Sequence, residues 1–238
     1  MSYAQNPYSS PMGDFAALAA ADDRASFITK TYLHLVAAIA VFVGLEAVLL
    51  NAPGVEEFVR FSLGTRWGWF LVLGMFMLVS VVANNWARSA VSPTMQYVGL
   101  WLYVAAESVI FVPLLYIAKL EDPNIIGSAA QVTLGLFAAM TAAVFITRKD
   151  FSFLRTFLVF GSFAALGFIV LAIFTHITIG PIFLYAMIAL ACGYILYDTS
   201  NVLHHYRIGQ HVAASLALFA SVALLFWYVL QLFMSRRN

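Results

Sequence analysis

Seven apolar stretches, each close to the thickness of a lipid bilayer, dictate what this chain can become. Crossing the hydrocarbon core takes about 20 mostly apolar residues in a helix, because in lipid every backbone amide must be satisfied inside its own segment. The stretches cover residues 32–50, 67–86, 97–117, 126–146, 156–174, 182–197 and 212–233. Asn51-Ala52-Pro53-Gly54, Ser92-Pro93 and Gly180-Pro181 punctuate them as turn signals. Trp67 and Trp86 bracket the second, as amphipathic rings do at headgroup level. Only 10% of the residues are charged, against roughly 25% in a soluble domain. The expected fold is an all-α integral membrane protein, a bundle of seven transmembrane helices.

The organisation reads as a flexible tail over residues 1–25 and a single transmembrane domain over 26–238. The tail's first half is rich in Ser, Pro, Gly and Asn, and its Ala-rich second half has the composition of a short surface helix. It lacks a basic segment leading into an apolar one, so no cleavable signal peptide is expected. Arg24, Lys30, Arg88, Arg148, Lys149, Arg155 and Arg207 flank the spans on one side, and Arg60, Arg66, Lys119, Arg236 and Arg237 on the other. Basic residues are retained inside, so the N-terminus is expected in the cytoplasm and the protein in an inner cell membrane. The bilayer is then its first partner.

The same patterns exclude other classes. Twelve basic and eleven acidic residues nearly cancel and lie scattered between spans, leaving no basic face for nucleic acid. Cys192 is the single cysteine, so there is no internal disulfide and no thiol pair for a metal. HExxH, CxxC, GxSxG and P-loop patterns are all missing, and no two acids stand three or four apart within a span. No catalytic residue, metal site or cofactor is therefore expected. Matched broken helices, the mark of many secondary transporters, are not evident either.

Three acids fall within or beside the spans. Glu46 is one turn from the end of the first and reads as a side chain reaching out to the headgroups. Glu107 lies ten residues into the third span, where it is either a neutral, hydrogen-bonded core residue or part of an ion or proton path. Asp198 closes the sixth span in the run GYILYDTSNVLHHY, Gly193 to Tyr206, and reads as the C-terminal end of that helix. An acid is costly there, and His204, His205, Arg207 and His211 follow as candidate modulators of its charge. The competing reading makes those residues a solvated link. His34, one turn into the first span, reads as a structural histidine.

Two stretches, TRKDFSFLRTFL from Thr147 to Leu158 and YILYDTSNVLHH from Tyr194 to His205, together resemble the Bax inhibitor-1 family. A third, YVAAESVIFVPLL from Tyr103 to Leu115, is similar to its bacterial YccA-like branch. The resemblance covers the chain from about Ser26 onward. It implies a seven-helix bundle whose last helix is central, and a pH-sensitive calcium leak governed by two aspartates that share a proton, one ending the sixth helix and one in the seventh. Asp198 matches the first. The seventh span, SLALFASVALLFWYVLQLF, has no acid and places Ser221 where the partner would stand. A serine can donate a hydrogen bond but cannot share a titration.

Two functions follow from these observations. One is a pH-sensitive calcium or other cation leak with Asp198 at the cytoplasmic mouth, Ser221 beside it and Glu107 on the path. The other, implied by the YccA-like resemblance, is a regulatory protein that binds and restrains a membrane-anchored quality-control protease through its tail.

Overall fold

A computed structural model describes residues 13–89, 92–175 and 180–236. The first half of the tail, the connection at 176–179 and Arg237 lie outside the described residues. Eight α-helices follow in order: α1 Ala21–Leu49, α2 Val55–Gly64, α3 Arg66–Ala87, α4 Pro93–Glu121, α5 Pro123–Thr147, α6 Leu154–Thr175, α7 Pro181–His204 and α8 His211–Ser235. All but α2 are long and apolar enough to cross a membrane, and the protein is a multi-pass membrane protein.

Local chemistry explains where the helices start. Pro93, Pro123 and Pro181 open α4, α5 and α7 at the first helical position, where the missing N–H is no loss. The hydroxyl of Thr65 accepts the Gly68 amide at 2.9 Å, and the Asp122 carboxylate accepts that of Asn124 at 2.9 Å, each filling an otherwise empty N-terminal bond. The turn expected at Asn51–Gly54 is present, with Gly54 at a φ of 87° that a side chain would resist. It leads into α2, which the span count did not anticipate. Glu56, Glu57 and Arg60 interrupt this segment, so it is too polar and too short to cross. It stays at the rim, where Tyr116 of α4 donates to Glu56 at 3.0 Å.

Helix α8 is the centre of the bundle. It packs against α1, α3, α4, α5 and α7, and 72% of its span is buried, against 6% for α6 and 11% for α3. The peripheral helices turn their apolar side chains outward instead: Phe157, Phe160 and Phe163 of α6 and Leu71, Met75 and Leu78 of α3 are exposed, as lipid contact requires. Small residues set the tightest approaches. A Cβ on Gly99 of α4 would stand 2.5 Å from the Ala83 carbonyl of α3, so only glycine lets these backbones meet. The α6–α7 hairpin closes at Gly161 and Gly193, which receive Leu190 and Leu158 respectively. Because successive spans alternate in direction, the ends of α3, α5 and α7 gather at the start of α1. This end is called proximal below, and the opposite end distal.

Candidate functional site

Asp198 is 8% exposed and faces α8. Helix α7 does not end there: it continues to His204, so the acid lies inside the helix and not at its terminus, correcting the expectation above. The extension is possible because Thr199, Ser200, Val202 and Leu203 are buried and continue the packed surface past the apolar run. Across the interface, Ser221 Oγ donates to Asp198 Oδ2 at 2.5 Å. Arg88, just past the end of α3, supplies positive charge to the same carboxylate. Tyr206 closes the proximal side, and its hydroxyl is pushed well above its ordinary range by burial and by the negative charge of Asp198.

The candidate modulators are engaged elsewhere. His205 Nε2 meets Asp150 Oδ2 at 2.9 Å. The Arg207 guanidinium donates to the Gly13 carbonyl at 3.0 Å and lies 4.3 Å over the Phe15 ring. His204 sits beside His205, its Nε2 enclosed without a hydrogen-bond partner. None of the three thus bonds Asp198. Residues 13–16, part of the expected free tail, form a strap: Ala16 N donates to the Tyr206 carbonyl at 2.8 Å, and Ile208 N to that of Asp14 at 3.0 Å. Ala16 is fully buried by this pairing.

Asp150 is a functional candidate that the sequence reading passed over. It sits on the link between α5 and α6, which turns at Arg148 with a φ of 50°. Besides His205, it accepts the Ser152 amide at 2.8 Å and the Ser200 hydroxyl at 3.4 Å, while Phe151 N donates to Ser200 Oγ at 2.9 Å. The desolvation that would raise its carboxyl is outweighed by the Ser152 amide and by His205, which hold it below the usual carboxylate range. The stretches Thr147–Leu158 and Tyr194–His205 are therefore one structure, a polar clasp joining the link to the end of α7. An acid in one motif and a serine and histidine in the other were the available sign.

Glu107 lies against a different part of α8 from Asp198. Phe219 and Phe226 of α8 pack on Tyr103 and Phe111 of α4, the face that carries Glu107. Ser221 stands two residues from Phe219, about 200° around the helix, and faces α7. The two acids thus flank α8 on different sides. Glu107 is 7% exposed, and its Oε2 has no partner. Glu46 does not reach the headgroups. It is 5% exposed with both oxygens unpartnered, because it continues the inward stripe Phe27, Thr31, Leu35, Ala38 and Phe42. Among the described residues, no three His, Cys, Asp or Glu side chains gather as a metal site.

Comparison with known proteins gives this bundle its relatives. A model of the family described as inhibitor of apoptosis-promoting Bax1 matches residues 24–238. Bax inhibitor 1 of Schizosaccharomyces pombe is 29% identical over 215 residues, 88% of this chain and 76% of that protein. An uncharacterized protein of Pseudomonas aeruginosa is 31% identical over 120 residues, covering 50% of this chain and 54% of its own length. The Golgi anti-apoptotic protein of vaccinia virus (strain Lister) is 33% identical over 116 residues, covering 47% of each. With a family model spanning the whole bundle and both clasp motifs in place, the chain belongs to the Bax inhibitor-1 family.

Proposed function

We propose that this protein, a member of the YccA-like branch, is a pH-sensitive cation leak that passes calcium, with Asp198 at the cytoplasmic mouth. The observation that carries this reading is the buried Asp198 joined to the central helix by the single hydroxyl of Ser221. A carboxylate in that place costs several kcal/mol unless it is satisfied, so the Ser221 bond ties α7 to α8 in the closed bundle. Calcium prefers six to eight oxygen ligands, and one carboxylate with a few hydroxyls suits weak, passing contact. Because Ser221 does not titrate, gating would follow one proton and not a shared pair. Glu107, across α8, takes no part in the latch. Calcium flux into proteoliposomes, measured from pH 6 to pH 8, should vary with pH in the native chain and lose that variation in Asp198→Asn. Flux indifferent to both changes would remove the reading.

The second reading, restraint of a membrane-anchored protease, draws support from the strap. Residues 13–16 root the N-terminal segment on Tyr206 and Arg207, so a partner pulling on the tail would act at the Asp198 end. Deletion of residues 1–25 should then abolish co-purification with the protease, and full retention would count against this partner.

A further inference from the structure

On the distal side of Glu107 lies a cavity of about 440 Å³, walled by α2, α3, α4, α6, α7 and α8. Its volume falls in the range of small-molecule sites, roughly 300–1,000 Å³. Its walls are aromatic and aliphatic. Trp69 and Trp227 stack with centroids 6.0 Å apart, and Phe111 meets Trp227 edge-on at 4.9 Å. Leu166 of α6 lines the cavity and is also exposed on the lipid-facing surface, so the cavity borders the bilayer between α6 and α3. Glu107 is the one carboxyl of its lining, more than nine-tenths buried and with Oε2 unpartnered.

A void, an aromatic wall and an orphaned acidic oxygen in one place define a ligand by complementarity. The oxygen needs a donor, and an ionised carboxylate in an apolar site needs a cation. Indole and phenyl faces attract the same cation. Apart from Gln231 and Tyr228, the remaining wall is hydrocarbon and aromatic ring. We propose that this cavity binds a membrane-dissolved protonated amine with a single apolar tail, its ammonium on the Glu107 carboxyl among the aromatic rings and its tail directed toward Leu166 and the lipid. A neutral lipid tail would leave the carboxyl unsatisfied, and an anionic amphiphile would be repelled by it.

The test uses the full chain in nanodiscs and dodecylamine, with dodecanol as the uncharged control. Dodecylamine should quench tryptophan fluorescence saturably and bind about tenfold or more weakly to Glu107→Gln, the loss expected of a charge-assisted bond in a dry site. Dodecanol should bind the native chain weakly and be indifferent to the substitution. Should the variant fail to fold, a diazirine-bearing alkylamine on the native chain should label residues 69–76 or 224–231. Equal binding of amine and alcohol, an unaffected Glu107→Gln, or labelling confined to other segments would overturn the assignment. None of these readouts involves ion flux, so the site stands or falls apart from the proposed leak.

Discussion

The two sides of helix α8 treat a buried acid in opposite ways. On the α7 side, Asp198 accepts a bond from a donor on the central helix and feels the positive charge of Arg88 at the end of α3. On the α4 side, Glu107 lines a cavity, and its Oε2 has no partner. A satisfied acid at a helix contact acts as a tie, whereas an unsatisfied acid beside a cavity is set up to receive a ligand. The contrast is one of packing, since both residues are comparably buried.

Replacing the two acids by leucine should separate them most strongly. Asp198→Leu leaves the buried Ser221 hydroxyl without its partner and is expected to destabilise by up to about 3 kcal/mol. Glu107→Leu removes an orphaned oxygen and fills part of a void, so it should be neutral or stabilising by about 1 kcal/mol. Thermal unfolding in one detergent measures both; equal losses would erase the distinction.

Ser221→Ala should cost about 1–3 kcal/mol by stranding the carboxylate, and should raise flux through the proposed leak. Ser221→Asp tests the same contact differently. Two carboxylates in contact titrate as a unit, so the pH dependence of flux should split into two steps where the native chain shows one. An unchanged single step would mean that Asp198 is not the titrating group.

The smallest effect is expected at the clasp. Asp150 and His205 are both nearly half exposed, so their pairing contributes at most about 1 kcal/mol. The folded Asp150 carboxyl is lowered, so the stability it contributes is complete above the unfolded value of about 4 and fades as pH falls through the lower folded value. The difference in melting temperature between the native chain and Asp150→Asn should accordingly shrink as pH falls and vanish in strong acid.

Much of the fold was legible because it rests on local patterns. The seven spans followed from run length and the helix starts from Pro93, Pro123 and Pro181. The absent second aspartate was visible in the seventh span, and so was the serine in its place. The expected reach of Glu46 to the headgroups fails because the spacing of Leu35, Ala38 and Phe42 points its face inward. The roles of His205 and Arg207 were harder. Both follow Asp198 in the chain, but α7 continues to His204 and carries them past it to Asp150 and Gly13, partners 55 and 194 positions away.

Hydrophobic run length told that the chain crosses a bilayer seven times, because lipid forces each segment to satisfy its own backbone and so makes spanning a property of single stretches. Which side chains meet between spans is another matter. It depends on the rotation of each helix about its axis, set by contacts such as Gly99 against Ala83 and Phe111 against Trp227 across the whole bundle. Only the packed molecule could bring Ser221 to Asp198, bury Glu46 and leave Glu107 facing a cavity.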